Sequence, residues 1–398
     1  MSGIKTITEE PIRNREHFLE TEFLTRREVE AALDLVVNQV NKNLDAFGTS
    51  FPYSAAEGGS YPLTENVEWT TGFWTGILWL VYEYTGSERI REAALAQVDS
   101  FLERVEKRID VDNHDMGFLF TPSCVAAYKL TKSETAKKAA LLAADVLMER
   151  YNERDGFIQA WGAVGKKEDY RLIIDCMMNI PLLYWASDMT GNPVYREAAT
   201  RHFITSCNYV VRDDASAYHT YYFDPDTGKP IRGVTRQGYS DSSSWARGQA
   251  WGMYGIALNY RQTRRPEAFN LYRGMTNYFL NRLPEDDVCY WDLIFSDGSG
   301  HLRDSSDAAI AVCGMAEMSH YLPETEPNHL VYERSMHRIL RSLMNGYANK
   351  EHKAGEPLLL HGVYSWHSGK GMDVGNMWGD YFYTEALLRF LHDWNPYW

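Results

Sequence analysis

The sequence predicts an all-α protein, an (α/α)6 barrel in which six helical hairpins close into a toroid. Three observations predict it. A degenerate repeat of helix pairs runs along the chain. The first helix of each pair is apolar nearly all round, so it belongs inside, while the second carries a charged face and belongs outside. The last helix, Tyr381–Trp394, is aromatic and apolar, whereas an open solenoid would end in a polar capping unit.

The first pair is Phe73–Gly86 followed by a helix from Ser87 to Arg108. The second is Pro122–Lys132 followed by Ser133–Tyr151. The third is Ile180–Gly191 followed by Asn192–Val211, and the fourth is Trp251–Arg265 followed by Pro266–Leu283. The fifth is Ala308–Glu324 followed by Val331–Tyr347. The terminal helix pairs with the opening one, Arg27–Phe47, to complete the sixth. Thr85, Thr131, Thr190, Thr263 and Glu324 mark the turns, at gaps of 46, 59, 73 and 61 residues. Ser87, Ser133 and Pro266 suit helix N-termini. The loops after the outer helices gather at one end around a central pit. Two are long: 212–245, where DPDTGKP signals a short hairpin, and 350–379, rich in Gly, His and Trp. No linker interrupts the pattern, so residues 27–398 are expected to form a single domain and residues 1–26 an N-terminal extension.

Composition narrows the function. The chain has 398 residues, 40 Lys+Arg against 54 Asp+Glu, and a net charge of −14. That balance disfavours nucleic acid. No apolar run approaches the ~20 residues that span a bilayer, and no secretory leader is visible, so no membrane partner and a cytoplasmic setting are expected. The five cysteines are scattered and form no CxxC pair, which fits reduced thiols. No metal or cofactor motif is present, and a monomer or weak dimer is expected. The 12 Trp and 26 Tyr combine flat apolar faces with polar tips, a type suited to sugar rings, although most should serve the core.

Two acids stand at equivalent places, each opening an inner helix. Asp175 lies in RLIIDCMMNIP among Ile and Met, where desolvation should raise its pKa. Asp115 lies in VDNHDMGF, a wetter setting where it should stay ionised. One such Asp alone reads as a helix cap, whereas a pair with divergent surroundings reads as an acid and a base. In QGYSDSSSWARGQAWG, Arg247 and Trp251 are four residues apart and share a helix face, a candidate carboxylate clamp beside a stacking surface. YSWHSGKG offers Ser365, Ser368 and Lys370 as a small oxyanion site.

With those stretches, EWTTGFWTGILWL, HDMGF, IIDCMMN, SSWARGQAWG and WGDYFYTEALLR together make the chain resemble the unsaturated glucuronyl hydrolases, glycoside hydrolase family 88, from about Arg27 onward. Within that family it is most similar to the enzymes acting on unsaturated chondroitin disaccharides. The resemblance implies release of a 4,5-unsaturated glucuronic acid from glycosaminoglycan lyase products by hydration of the C4=C5 vinyl ether, with no cofactor. It implies Asp175 as the acid that protonates C4 and then the base that activates water, with Asp115 holding sugar hydroxyls and setting its partner's proton state. It further implies Trp69 and Trp161 at the sugar subsites, His219, Gln237, Arg247 and Trp251 around the uronate and water, and Tyr364 closing the pocket. Ser365, Ser368 and Lys370 resemble a sulfate-binding element. A rhamnogalacturonyl hydrolase or another (α/α)6 glycosidase, a sugar 2-epimerase and a sugar-binding module are the alternatives.

Overall fold

In the computed structural model, which describes residues 3–398, helices dominate and the few strands are short. The inner helices are Thr71–Thr85, Met116–Phe120 with its continuation to Thr131, Pro181–Thr190, Ala246–Thr263, Ser305–Ser319 and Met377–Leu391. They are apolar and deeply covered: Thr71–Val81 and Ser305–Met318 are buried without interruption. The outer helices, such as Glu88–Glu106 and His329–Ser342, bury one stripe and expose the other. Met377–Leu391 packs on both Ser305–Ser319 and Thr71–Thr85, so the succession of inner-helix contacts returns to its start.

Four hairpins turn by one device. Thr85, Thr131, Thr190 and Thr263 each donate a hydroxyl to the carbonyl four residues back, over 2.7, 2.7, 2.7 and 2.8 Å. The next residue is left-handed: Gly86, Lys132, Gly191 and Arg264, with φ of 66°, 59°, 72° and 51°. A left-handed residue ends the helix by turning the chain away from the ladder. In three of the four the same Thr oxygen then accepts the N–H of the next helix's N-cap, Ser87, Ser133 or Asn192, over 3.1–3.3 Å. Ser133 and Asn192 cap with their side chains, whereas Ser87 holds the cap position without a side-chain bond. The fifth turn, near Glu324, is longer, and its helix ends at Ser319 rather than at a threonine.

The second inner helix begins at Met116, earlier than its expected start at Pro122, and widens into a π turn over Thr121–Val125. Pro122 has no N–H to give the ladder, and a wider turn absorbs the missing bond. The DPDTGKP hairpin forms as expected: Thr220–Phe223 pairs with Pro230–Val234. It also recruits Arg171–Ile173 as a third strand, with Ile173 opposite Thr220. The 350–379 segment holds an unforeseen hairpin, Gly362–Ser365 with Lys370–Val374. The N-terminal stretch is laid against the outer helices. Ile4, Ile12 and Phe18 are buried, and Glu9 accepts from Arg273 over 3.1 Å and from Asn277 over 2.9 Å. Among the described residues no helix is long and apolar enough to cross a membrane.

Candidate active site

Two local events bring the carboxyls together. Asp115 occupies the N-cap of Met116–Phe120, and Asp175 follows strand Arg171–Ile173 at the N-cap of Cys176–Asn179. Asn179 staples the two helix starts. Its Oδ1 accepts the Phe118 N–H over 2.8 Å, and its Nδ2 reaches Asp115 Oδ1 at 3.5 Å and the Asp175 carbonyl at 3.3 Å. The approach is close enough to require Gly117, because a Cβ there would lie 2.3 Å from Asn179 Cα. His114, which sequence reasoning did not single out, completes the group. Its Nε2 is 3.4 Å from Asp115 Oδ1 and 3.5 Å from Asp175 Oδ1.

The electrostatics depart from expectation at Asp115. Its residue is 4% exposed, so it is the deeper of the two, not the wetter. Burial and then the Asp175 charge push its pKa well above the usual carboxylate range. The side chain of Asp175 is 19% exposed, and burial raises it to about 7 against the opposing pull of Arg247. Two dry carboxyls this close disfavour double ionisation, so the pair retains a proton near neutrality. His114 is held well below its ordinary value by burial and then by the Arg150 charge, so it is neutral. One ligand atom from each of His114, Asp115 and Asp175 lies within 4.8 Å of the others. This is the one such group among the described residues whose donors could hold a metal ion.

His219 arrives beside Asp175 through strand pairing, since its carbonyl accepts the Ile174 N–H over 3.0 Å. Its Nδ1 accepts the N–H groups of Arg236 at 2.9 Å and Gln237 at 3.2 Å, which places the proton of the neutral ring on Nε2. Burial lowers its pKa to about 3. Trp69 and Tyr364 meet directly: the indole N–H donates to the Tyr364 hydroxyl over 2.8 Å, and Trp69 stacks on Trp378 at 5.3 Å. Buried Arg104 supports the Trp69 loop by donating to the carbonyls of Val67 and Glu68 over 3.0 and 2.9 Å. Arg150 does the same for the Asp115 and Trp161 loops through the carbonyls of Asp112, Gln159 and Gly162. Trp161 itself is 39% exposed, a free aromatic surface.

Two expected ligands take other roles. Arg247 is not a free clamp. It is paired with buried Asp304 and donates to the carbonyls of Val363 (2.7 Å) and Tyr364 (2.8 Å) and to Gln237 Oε1 (2.8 Å), sandwiched between Trp245 and Trp378. Trp251 shares its helix face as expected, but that face is core: Trp251 is 1% exposed and packs on Phe118 and Phe382. Arg247 therefore ties Gln237 and the Tyr364 hairpin to one anchor. The anchor's partner, Asp304, lies 57 residues away and leaves no local signal.

The hairpin turn gathers Ser365, Ser368 and Lys370. Ser368 Oγ donates to the Ser365 carbonyl at 3.3 Å and lies 3.4 Å from the Lys370 N–H. The Lys370 ammonium sits over the rings of Tyr364 (4.5 Å) and Tyr53 (4.7 Å) and donates to the Tyr53 hydroxyl over 3.2 Å. The turn is pinned by Trp366 stacked on Trp291 at 4.9 Å and by His367 on the Gly238 carbonyl at 2.7 Å. A separate cavity of about 750 Å³ beside Asp286, Arg303 and Arg338 is lined by none of these groups, and its arginines are committed to carboxylates, Arg338 to Asp287 at 2.7 Å.

Residues 44–317 match the Glycosyl Hydrolase Family 88 model. The chain is 59% identical over 395 residues to an unsaturated chondroitin disaccharide hydrolase of Streptococcus pyogenes serotype M1, covering 99% of each. Its structure is similar to that of an unsaturated glucuronyl hydrolase from Streptococcus agalactiae, with a TM-score of 0.99, 56% identity and full coverage of both chains. It is also similar to a mutant of that S. agalactiae enzyme complexed with dGlcA-GalNAc6S, with a TM-score of 0.91, 53% identity and full coverage of both.

Proposed function

Because the chain belongs to Glycosyl Hydrolase Family 88, we propose that it is an unsaturated chondroitin disaccharide hydrolase. It releases the 4,5-unsaturated glucuronic acid from the non-reducing end of chondroitin and hyaluronan disaccharides left by glycosaminoglycan lyases, with preference for sulfated ones. The observation that carries this reading is one partly exposed carboxyl, Asp175, held near pKa 7 above a second, buried one.

The chemistry follows from that arrangement. In its acid form Asp175 gives a proton to C4, and positive charge develops on C5 and the ring oxygen. The carboxylate left behind faces that charge across a dry site, where a fixed charge acts strongly. It then takes a proton from the water that adds to C5, which restores the acid. The hemiketal opens and expels the rest of the sugar. Asp115, at 4% exposure, lies behind Asp175 with little surface for sugar hydroxyls, and its coupling to Asp175 governs how the two share a proton. Trp69, Tyr364 and exposed Trp161 form the ring-binding walls, and the His219 Nε2–H and Gln237 supply polar contacts. Ser365, Ser368 and Lys370 form the sulfate subsite.

The other chemistries fit less well. An inverting glycosidase sets its carboxyls ~6.5–9.5 Å apart, astride the bond. Here the nearest atoms of the pair lie within 4.8 Å, one carboxyl behind the other. A 2-epimerase needs opposed histidine bases, and burial leaves both His114 and His219 poor proton acceptors. The returning succession of helix contacts supports the six-hairpin (α/α)6 barrel as the scaffold, and five buried free thiols support a cytoplasmic setting.

The test is optical. Hydration destroys the ultraviolet absorbance of the conjugated enol ether, whereas ordinary hydrolysis leaves it intact. Incubation with the unsaturated chondroitin 6-sulfate disaccharide should bleach that band, and Asp175→Asn should abolish the bleaching. No decay from mildly acidic to neutral pH, or undiminished turnover by folded Asp175→Asn, would overturn the proposal.

A further inference from the structure

The imidazole of His114 belongs neither to the sugar-facing walls nor to the apolar packing behind them. It is 1% exposed, and its main chain is fixed by a bond from its N–H to the Ala160 carbonyl at 2.9 Å. Its ring is aimed at the carboxyl pair, with Nε2 nearly equidistant from Asp115 Oδ1 and Asp175 Oδ1, at 3.4 and 3.5 Å. Among the described residues neither ring nitrogen has a hydrogen-bond partner, and neither does Asp175 Oδ1. Buried polar atoms left unpaired in the resting state are costly, and the cost is recovered if a later state pairs them.

We propose that His114 is a positioning residue for the hydration, whose Nε2–H is the donor that receives Asp175 Oδ1 once that carboxyl has given its proton to the substrate. The inference rests on the reading of Asp175 as acid and then base. Before proton transfer the carboxyl is neutral and needs no strong donor. After transfer a full charge sits on Asp175, and Oδ1 closes on the His114 N–H. The other oxygen, Oδ2, is thereby left facing the water, to accept its proton. A neutral imidazole is required here, because a charged one would compete for that proton. Arg150, Arg171, His202 and His219 face the ring, Arg104 and Arg150 face Asp115, and Arg247 faces Asp175. None of these is altered in the variants below.

His114→Phe keeps the ring volume and removes the donor, whereas His114→Gln carries an N–H near the Nε2 position. Both are measured for kcat, KM and the pH dependence of kcat/KM on the unsaturated chondroitin 6-sulfate disaccharide, with thermal melting as a check on folding. His114→Phe should lower kcat about 10- to 100-fold with KM within about twofold. Its alkaline limb should move to higher pH, because a carboxylate without its donor holds its proton more tightly. His114→Gln should recover most of kcat and the position of the limb. An unmoved limb in folded His114→Phe, or a glutamine variant no better than the phenylalanine one, would overturn the proposal. Should His114→Phe not fold, His114→Leu takes its place with the same two outcomes. Inactive Asp175→Asn beside an unperturbed His114→Phe would sink this inference alone, whereas active Asp175→Asn would sink the reading beneath it.

Discussion

The Trp69 indole N–H donates to the Tyr364 hydroxyl over 2.8 Å, joining the loop before the first inner helix to a hairpin 295 residues further on. In the proposed site one ring-binding wall is therefore a bonded pair rather than two independent aromatics. Trp69→Phe keeps a ring and loses the bond. It should lower kcat/KM about 5- to 30-fold, mainly through KM, because it loosens a binding surface rather than the acid. Steady-state kinetics on the disaccharide decide it, and an unchanged KM would remove this pair from the binding wall.

The raised pKa of Asp175 gives a pH dependence with a definite sign. The acid must carry its proton to start the reaction, so kcat/KM should fall as pH rises past about 7. Stability runs in the same direction. A carboxyl whose pKa is raised on folding contributes stability below its unfolded value, lost as pH rises through the folded one. The window here runs from about 4 to about 7. Asp175→Asn should therefore melt a few degrees higher than wild type at pH 8, with the gap closing towards pH 4. Melting curves that differ equally at both ends would contradict the assignment.

Lys370 should read sulfate and little else. Lys370→Ala should lower kcat/KM for a 6-sulfated disaccharide about 10-fold or more and leave the unsulfated one within about twofold, the loss expected for one charge-assisted contact. An equal fall on both substrates would show instead that the ammonium supports the wall through Tyr53 and Tyr364.

Arg247 and Asp304 form a buried ion pair with side chains 3% and 0% exposed. Removing one partner strands the other charge, so Arg247→Met alone should cost about 3–5 kcal/mol in urea unfolding. Arg247→Met combined with Asp304→Asn should cost clearly less. The single variant should also lose activity, since Gln237 and the Tyr364 carbonyl lose their common anchor. Additive losses in the double variant would show that the two residues are not coupled.

What could be read from the chain depended on how local its cause was. The helical pairs were legible because each carries its own 3.6-residue apolar pattern and its own threonine turn. Asp175 was legible because its desolvating neighbours, Ile173, Ile174, Cys176 and Met177, flank it in sequence. Asp115 was misjudged for the matching reason: its chain neighbours Asn113 and His114 are polar, but folding buries all three. The committed role of Arg247, the covering of Trp251 and the pairing of the 362–374 hairpin depend on contacts from distant segments, and no window of sequence holds them. His114 went unnoticed because its meaning lies in its distance from Asp175, 61 positions away in the chain.

The threonine turns all lie at the ends of inner helices, and the loops that carry Asp115, Asp175 and Tyr364 precede their starts. One rim of the molecule is built largely from short links, four of them nearly identical, and the other is left to irregular loops. The two rims can thus diverge at different speeds. A loop such as the Ser365–Lys370 turn is open to exchange, while the links that set the helix order stay unchanged. Such a scaffold can serve several related sugars by exchanging short inserts, without a new architecture for each.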